Sequence, residues 1–219
     1  MLAACLTTAV GAEEKKQADA PETWYAMSLV QSTARMAISH HWSRGDLYRA
    51  LNVINGVPIV TIVDRDTYYT INAMNRTGIA IERSAKAKRD DTKRDRPFAN
   101  EWEDIVTAGG EKIHTKIIGG VMTEAWRFSN DLGRLTVWVR VSEPRVPMRV
   151  ETFHRQPGVT DERAYVNWVY GLPIPDSFFK PGEGVQIRRY GYEEYQKEVR
   201  KRPVGPAPPL YGDLLNGNE

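Results

Sequence analysis

The sequence predicts a mainly β, antiparallel domain of about eleven short strands. Three observations predict it. Apolar and polar residues alternate with period two in segment after segment, Gly, Asn and Asp turn signals separate those segments, and no strand–helix–strand alternation appears. Successive side chains of a strand point to opposite faces, so a period of two marks a half-buried strand. Strands at this spacing suit a barrel or a sandwich.

Segment 35–42 (RMAISHHW) sets Met36, Ile38, His40 and Trp42 on one face. Segment 46–54 follows with Leu47, Leu51 and Val53 on one face, and Asn55-Gly56 leads into VPIVTIV. Asn-Gly between two apolar runs signals a hairpin, because a type I′ turn needs positive φ at both central positions. Asp64-Arg65-Asp66 turns the chain into 67–71, and 75–78 turns it into 79–81. The stretch 83–96 then breaks the pattern, with seven basic residues against three aspartates. It reads as a solvated loop before a helix, with anionic head groups or an acidic partner as the functional alternative. Segment 97–108 reads as that helix, opened by Pro97 and stopped by Gly109-Gly110, with Phe98, Trp102, Ile105 and Val106 on its buried face.

Strands resume at 112–118, 121–128, 135–141, 148–154 and 162–170, and Trp24 falls in a further one. A proline-rich crossing over 171–181 leads to a last strand at 184–190, and a short helix follows over 192–200. The tail from 203 is rich in proline and glycine. It also holds Leu210, Tyr211, Leu214 and Leu215, an apolar set able to dock on the domain.

Composition narrows the function classes. The chain has 219 residues, 41% hydrophobic and 26% charged, which suits one folded domain with a sizeable core. A net charge of +2 makes no electrostatic case for nucleic acid, and the basic stretch lacks the aromatic residues of a base-stacking platform. Cys5 is the only cysteine, so packing and sheet hydrogen bonds must hold the fold without an intrachain disulfide.

Residues 1–12 read as a signal peptide, cut short at its start since no basic residue precedes the apolar run. Gly11-Ala12 before Glu13-Glu14 places cleavage after Ala12 and the mature N-terminus at Glu13. Leu2-Ala3-Ala4-Cys5 also fits a lipobox, with Cys5 as the alternative, lipidated terminus. The expected order is this leader, a polar linker at 13–22, a domain at 23–190, and a short helix with a proline-rich tail at 191–219.

The residues of catalysis do not assemble into a motif. His40 and His41 are adjacent in a strand and face opposite ways, and no Cys or paired-His spacing accompanies His114 or His154. There is no nucleophile elbow and no glycine-rich phosphate loop after a strand. The expectation is a binding protein with no catalytic residue, metal or cofactor. The competing enzyme reading needs His114 or His154 to meet a carboxylate inside a cleft. The strands holding Trp24, Trp126, Trp138 and Trp168 are aromatic, and a partly closed sheet of this kind can leave an apolar cavity for an acyl chain.

Three stretches carry a family resemblance: LNVINGVPIVTIVDRDTYYTIN from Leu51, LTVWVRVSEPRVPMRVE with its Pro147-Met148 turn, and VYGLPIPDSFFKPGEGVQI with Ile174-Pro175-Asp176-Ser177-Phe178. Between Trp24 and Tyr190 the chain resembles the LolA/LolB-like superfamily of periplasmic lipoprotein carriers and lipid-binding envelope proteins, in its outer-membrane lipoprotein-sorting branch. The resemblance implies an unclosed antiparallel half-barrel covered by one or two helices. It also implies a periplasmic or envelope location, with lipid or lipoprotein acyl chains as partners and an envelope membrane or protein as a further contact. A monomer is expected. An envelope-stress sensor or interaction module on the same fold is the alternative.

An acyl chain laid on the concave sheet face is expected to touch Met36, Ile38, Leu51, Val53, Trp126, Phe128, Val137, Val139, Val166 and Trp168. The set follows from alternation within each strand, and a register error of one residue exchanges every member in that strand. The alternative is that these residues pack beneath the 97–108 helix with no space left over.

Overall fold

The structure is a computed structural model that describes residues 22–32 and 36–217. The expected leader, the cleavage point between Ala12 and Glu13, and Cys5 lie outside the described residues. Six strands come first: β1 (Thr23–Gln31), β2 (Met36–Arg44), β3 (Leu47–Ile54), β4 (Val57–Asp64), β5 (Thr67–Asn72) and β6 (Thr77–Glu82). Helices α1 (Ala85–Asp91) and α2 (Glu101–Thr107) follow. Next come β7 (Glu111–Ile118), β8 (Val121–Ser129), β9 (Gly133–Arg140), β10 (Pro147–His154) and β11 (Val159–Tyr170). A short 3-10 turn (Asp176–Phe179), β12 (Gln186–Tyr190), α3 (Tyr192–Val199) and α4 (Gly212–Asn216) complete the chain.

All twelve strands form one sheet in the order β12-β6-β5-β4-β3-β2-β1-β11-β10-β9-β8-β7. Every pairing is antiparallel except β12 with β6. Consecutive hairpins build both halves, and the long return of β11 to β1 joins them. The sheet does not close, because β7 and β12 end it as edges. The architecture is therefore the unclosed antiparallel sheet over helices that the resemblance implies. None of the helices among the described residues is long and apolar enough to cross a membrane.

The Asn55-Gly56 hairpin forms as its sequence predicts, with φ of 50° and 80°. A Cβ added at Gly56 would touch nothing within 4 Å, so Gly56→Ala should cost only the left-handed backbone penalty, about 1 kcal/mol. A urea midpoint unchanged from wild type would contradict this.

One face of the sheet, here the inner face, carries the main core. Ala26, Tyr48, Val63, Tyr68, Ile81, Val137, Val150 and Tyr165 lie there with Phe98, Ile105, Leu214 and Leu215. Helix α2 packs on β8, β9 and β10, and α3 packs on β6. Leu214 and Leu215 are fully buried, so the tail docks as an integral part of this core. The outer face has a second apolar cluster of Val60, Ile62, Tyr69, Ile71 and Ala80, with Leu51, Val185 and Ile187 against it. The 3-10 turn lies over β3 and β4 and fixes the crossing there, where Phe179 is buried and Arg49 sits 4.7 Å from the Phe178 ring centre.

Three expectations need correction. The helix expected over 97–108 begins only at Glu101, since Ala99 adopts a φ of 60° and the Asn100 side chain donates to Arg96 O. The stretch 83–96 is not a solvated loop: Ser84 caps α1 by accepting from Ala87 N, and Arg83 and Arg96 are buried. Its cations are largely consumed inside the protein, Arg83 on Asp91, Lys88 on Asp66, Lys93 on Asp90, Arg94 on Asp213 and Arg96 on Glu103. Composition signals charge but not whether partners lie in range.

The third correction concerns the residues expected to line one face. Trp126, Phe128, Val137, Val139 and Trp168 do lie on the inner face. Met36, Ile38, Leu51, Val53 and Val166 lie on the outer one, because the register puts Ser39, His41 and Asn52 inward instead. Alternation shows that two faces differ, not which of them is the inner one. On β2 the inward row is polar. Val166 and Trp168 also separate, because the β1–β11 pairing shifts between Tyr25 and Met27 and Asn167 takes a φ of 55°.

Candidate functional site

A cavity of about 480 Å³ opens on the inner face at the hairpin ends of β1, β2 and β3. Its floor is the sheet: Ser28 and Val30, Ala37, Ser39 and His41, Asn52, then Arg163 and Tyr165 from β11. Its roof is the segment from Pro97 to Asn100 with Glu101 and Asp104 of α2, and the tail closes one side with Leu210, Tyr211 and Asp213. Met36, Ile38, Val53 and Ile54 border the same space. The volume falls in the range of small-ligand sites, roughly 300–1,000 Å³.

The depth of the cavity is polar and pre-organised. His41 is buried with Nε2 2.8 Å from Ser28 Oγ and Nδ1 2.8 Å from Tyr48 Oη, and its ring stacks on Phe98 at 5.1 Å. Asn52 donates to Tyr211 Oη at 3.1 Å, and the Tyr211 N–H donates to Tyr68 Oη at 3.2 Å. Tyr165 donates to Glu101 Oε1 at 2.8 Å, and Arg163 meets the same oxygen at 3.0 Å. Burial pushes the Tyr48 and Tyr165 hydroxyls above the usual phenol range, so both stay protonated donors. Burial, and then the Arg163 and His40 charges, hold the His41 imidazole down to about 3.

That pKa decides what the Ser28–His41–Tyr48 row can do. It has the outline of a nucleophile and base, but an imidazole this weakly basic gives little drive to take a hydroxyl proton at neutral pH. The third position holds a neutral phenol where a charge-stabilising carboxylate would sit. The row instead supplies fixed neutral hydrogen-bond groups at the cavity floor. His154 does meet a carboxylate, Asp161 at 3.3 Å, but both are half exposed at the β10–β11 hairpin and outside the cavity. His114 lies on the exposed β7. Among the described residues no three His, Cys, Asp or Glu side chains group to hold a metal ion.

None of the five inward members of the expected lining reaches this cavity. Trp126, Phe128, Val137 and Trp168 are core, with Phe98 stacked on Trp168 at 5.6 Å and Ile105 beside them. Val139 is fully buried on the same face. Of the five outward members, Met36, Ile38 and Val53 reach the cavity border. The polar floor went unseen in the sequence because Ser28, Ser39 and Asn52 look like solvent-facing residues in alternating strands. The pairing of His41 with Ser28 and Tyr48 joins three separate strands that no local signal connects.

No family model matches the chain, and no curated protein matches it. Among solved structures it is similar to an uncharacterized conserved protein from Thermus thermophilus, with a TM-score of 0.55 at 8% identity over 77% of this chain and 90% of that one. It is also similar to the MucA/MucB complex of Pseudomonas aeruginosa, with a TM-score of 0.48 at 8% identity over 76% of this chain and 58% of that one. A third similarity, to the Mycobacterium tuberculosis lipoprotein LppX, has a TM-score of 0.40 at 11% identity over 71% and 89% of the two chains. The likeness to the Thermus protein is one of fold and extends over most of both chains.

Proposed function

We propose that this protein is a non-catalytic carrier of the cell envelope that holds the acyl chain of a lipid or lipoprotein in the inner-face cavity. The observation that carries the reading is the polarity gradient of that cavity. Neutral hydrogen-bond groups of His41, Asn52 and Tyr211 lie at the floor, aliphatic groups of Val30, Ala37, Ile38, Val53 and Leu210 lie toward the hairpin ends, and the Arg163–Glu101 pair lies between floor and roof. An amphiphile fits this order, with its polar end on the fixed donors and acceptors and its chain along the aliphatic wall. Burial of each methylene is worth about 0.8 kcal/mol, so affinity can come from the chain while the floor selects the end group.

The test is binding of a fluorescent fatty-acid probe to the purified protein and to Ala37→Trp, whose indole would occupy the cavity. Wild type should bind saturably. The variant should bind at least about tenfold more weakly, the loss expected if about two methylenes are denied burial. Equal binding by a variant with an unchanged circular dichroism spectrum would remove the cavity as the site.

A second reading, an interaction module on the same fold, is favoured by β7. This edge strand is exposed along almost its whole length, with Ile113 and Ile117 among its exposed residues. A free edge can accept a further strand from a partner. Under that reading the fatty-acid probe stays unbound by wild type.

A further inference from the structure

On the outer face, Met27 and Leu29 of β1, Ile38 of β2, Leu51 and Val53 of β3 and Ala164 and Val166 of β11 form an apolar patch, bordered by Gln31, His40 and Glu162. Leu29 pairs with Ile38 on one side and Ala164 on the other, and Met27 pairs with His40 and Val166. His40 in turn faces Leu51, and Val53 follows two residues along β3. The crossing covers the outer face over β3 and β4, and Val185 and Ile187 pack on the buried cluster of Val60, Ile62, Tyr69 and Ile71. The hairpin ends stay uncovered: Met36 is 73% exposed, Val53 58% and Ile38 48%. Contiguous exposed apolar groups on a sheet mark a contact surface.

We propose that this outer face docks the protein on a lipid bilayer, with Met36, Ile38 and Val53 entering the boundary between head groups and acyl chains. Two features favour a bilayer over a protein partner. The first is order along the strands. From the hairpin end, β2 presents Met36 and Ile38, then His40 and Trp42, while β3 presents Val53 and Leu51; Arg44 and Arg49 beyond them are held by Asp176 and by Phe178 O of the crossing. Tyr25, His40 and Trp42 form an aromatic row, with Tyr25 and Trp42 at 5.3 Å and His40 and Trp42 at 5.8 Å. Apolar and then aromatic is the order of layers met on leaving the acyl core of a membrane. The second is continuity. Met36, Ile38 and Val53 border the cavity as well as the outer face, so a docked protein has its cavity mouth at the lipid surface. This second feature rests on the carrier reading, and the first does not.

The experiment is co-flotation of the full chain with phosphatidylcholine vesicles, with and without added phosphatidylglycerol. Ile38→Asp and Val53→Asp are compared with wild type and with Leu132→Asp, a change at an exposed leucine on the β8–β9 hairpin, outside this apolar set. Both positions are exposed, so folding should survive. Wild type and Leu132→Asp should float with both vesicle types at low and high salt, while each of the other variants should partition about tenfold more weakly. Binding that needs phosphatidylglycerol and vanishes with salt would overturn the proposal, as would equal flotation of all variants. A wild-type dimer that Ile38→Asp converts to monomer would also overturn it, by assigning the face to a second copy. Lipid extraction from the purified protein separates the two readings: docking without internal lipid keeps the face and removes the carrier, and internal lipid without docking does the reverse.

Discussion

Arg83→Met is expected to lower the unfolding free energy by about 3–5 kcal/mol. The Arg83 side chain is fully buried. Its Nε donates to Leu214 O at 2.5 Å, its two terminal nitrogens meet Asp91 at 2.7 and 2.8 Å, and one of them also donates to Arg65 O. Methionine fills similar volume but leaves the Asp91 carboxylate and two backbone carbonyls without their donor, and an unpaired buried acceptor costs its full desolvation. The loss also loosens the tail, because Ser84 next to it holds Leu215 O and Asn216 O. Arg83→Lys should recover little, since one ammonium cannot span the carboxylate and both carbonyls. Urea denaturation monitored by tryptophan fluorescence checks this. A change under about 1 kcal/mol would mean that water replaces the guanidinium freely, against the burial described.

The pH dependence of stability should carry a large term from His41. Its imidazole is neutral in the folded protein down to about pH 3, whereas the unfolded chain takes up the proton near 6.5. Below 6.5 the unfolded state therefore binds more protons, and stability falls as pH falls, by about 1.4 kcal/mol per unit, until the folded pKa is reached. Above 6.5 the term is fully present and flat. Burial raises the Glu103 carboxyl, a shift that works in the opposite direction, so the informative quantity is a difference between two proteins. His41→Gln keeps hydrogen-bonding capacity toward Ser28 and Tyr48 but cannot titrate. Its stability should decline less between pH 6.5 and 5 than that of wild type, by about 2 kcal/mol. Parallel curves for the two proteins would show that His41 is protonated in the fold and would remove the neutral floor of the cavity.

The strands were legible because each is a local statement. Asn55-Gly56 between two apolar runs declares its own turn, and β4, with buried residues on both faces, reads as strand from VPIVTIV alone. The face that each strand turns inward was not legible. On β2 the rows Met36-Ile38-His40-Trp42 and Ser39-His41-Ser43 are each consistent with either side. What decides is whether neighbouring strands and the layer above supply polar groups, and Tyr48 of β3, Tyr165 of β11 and Tyr211 of the tail come from three other places in the chain. The basic stretch failed for the same reason, since Asp213 and Leu214 O, which receive Arg94 and Arg83, lie 119 and 131 residues away. The residues expected to face a ligand divide between core and outer face for reasons set by register and packing, and the cavity lies at the hairpin ends.

The carrier reading stands or falls on whether the protein holds a lipid when it leaves its own membrane environment. Native mass spectrometry of the protein isolated from its native envelope, followed by lipid extraction, measures this directly. The expected result is a chain beginning near Glu13 that carries one non-covalent amphiphile, lost or strongly depleted in Ala37→Trp. A ligand-free protein of the same mature mass, with wild type and Ala37→Trp indistinguishable, would contradict it.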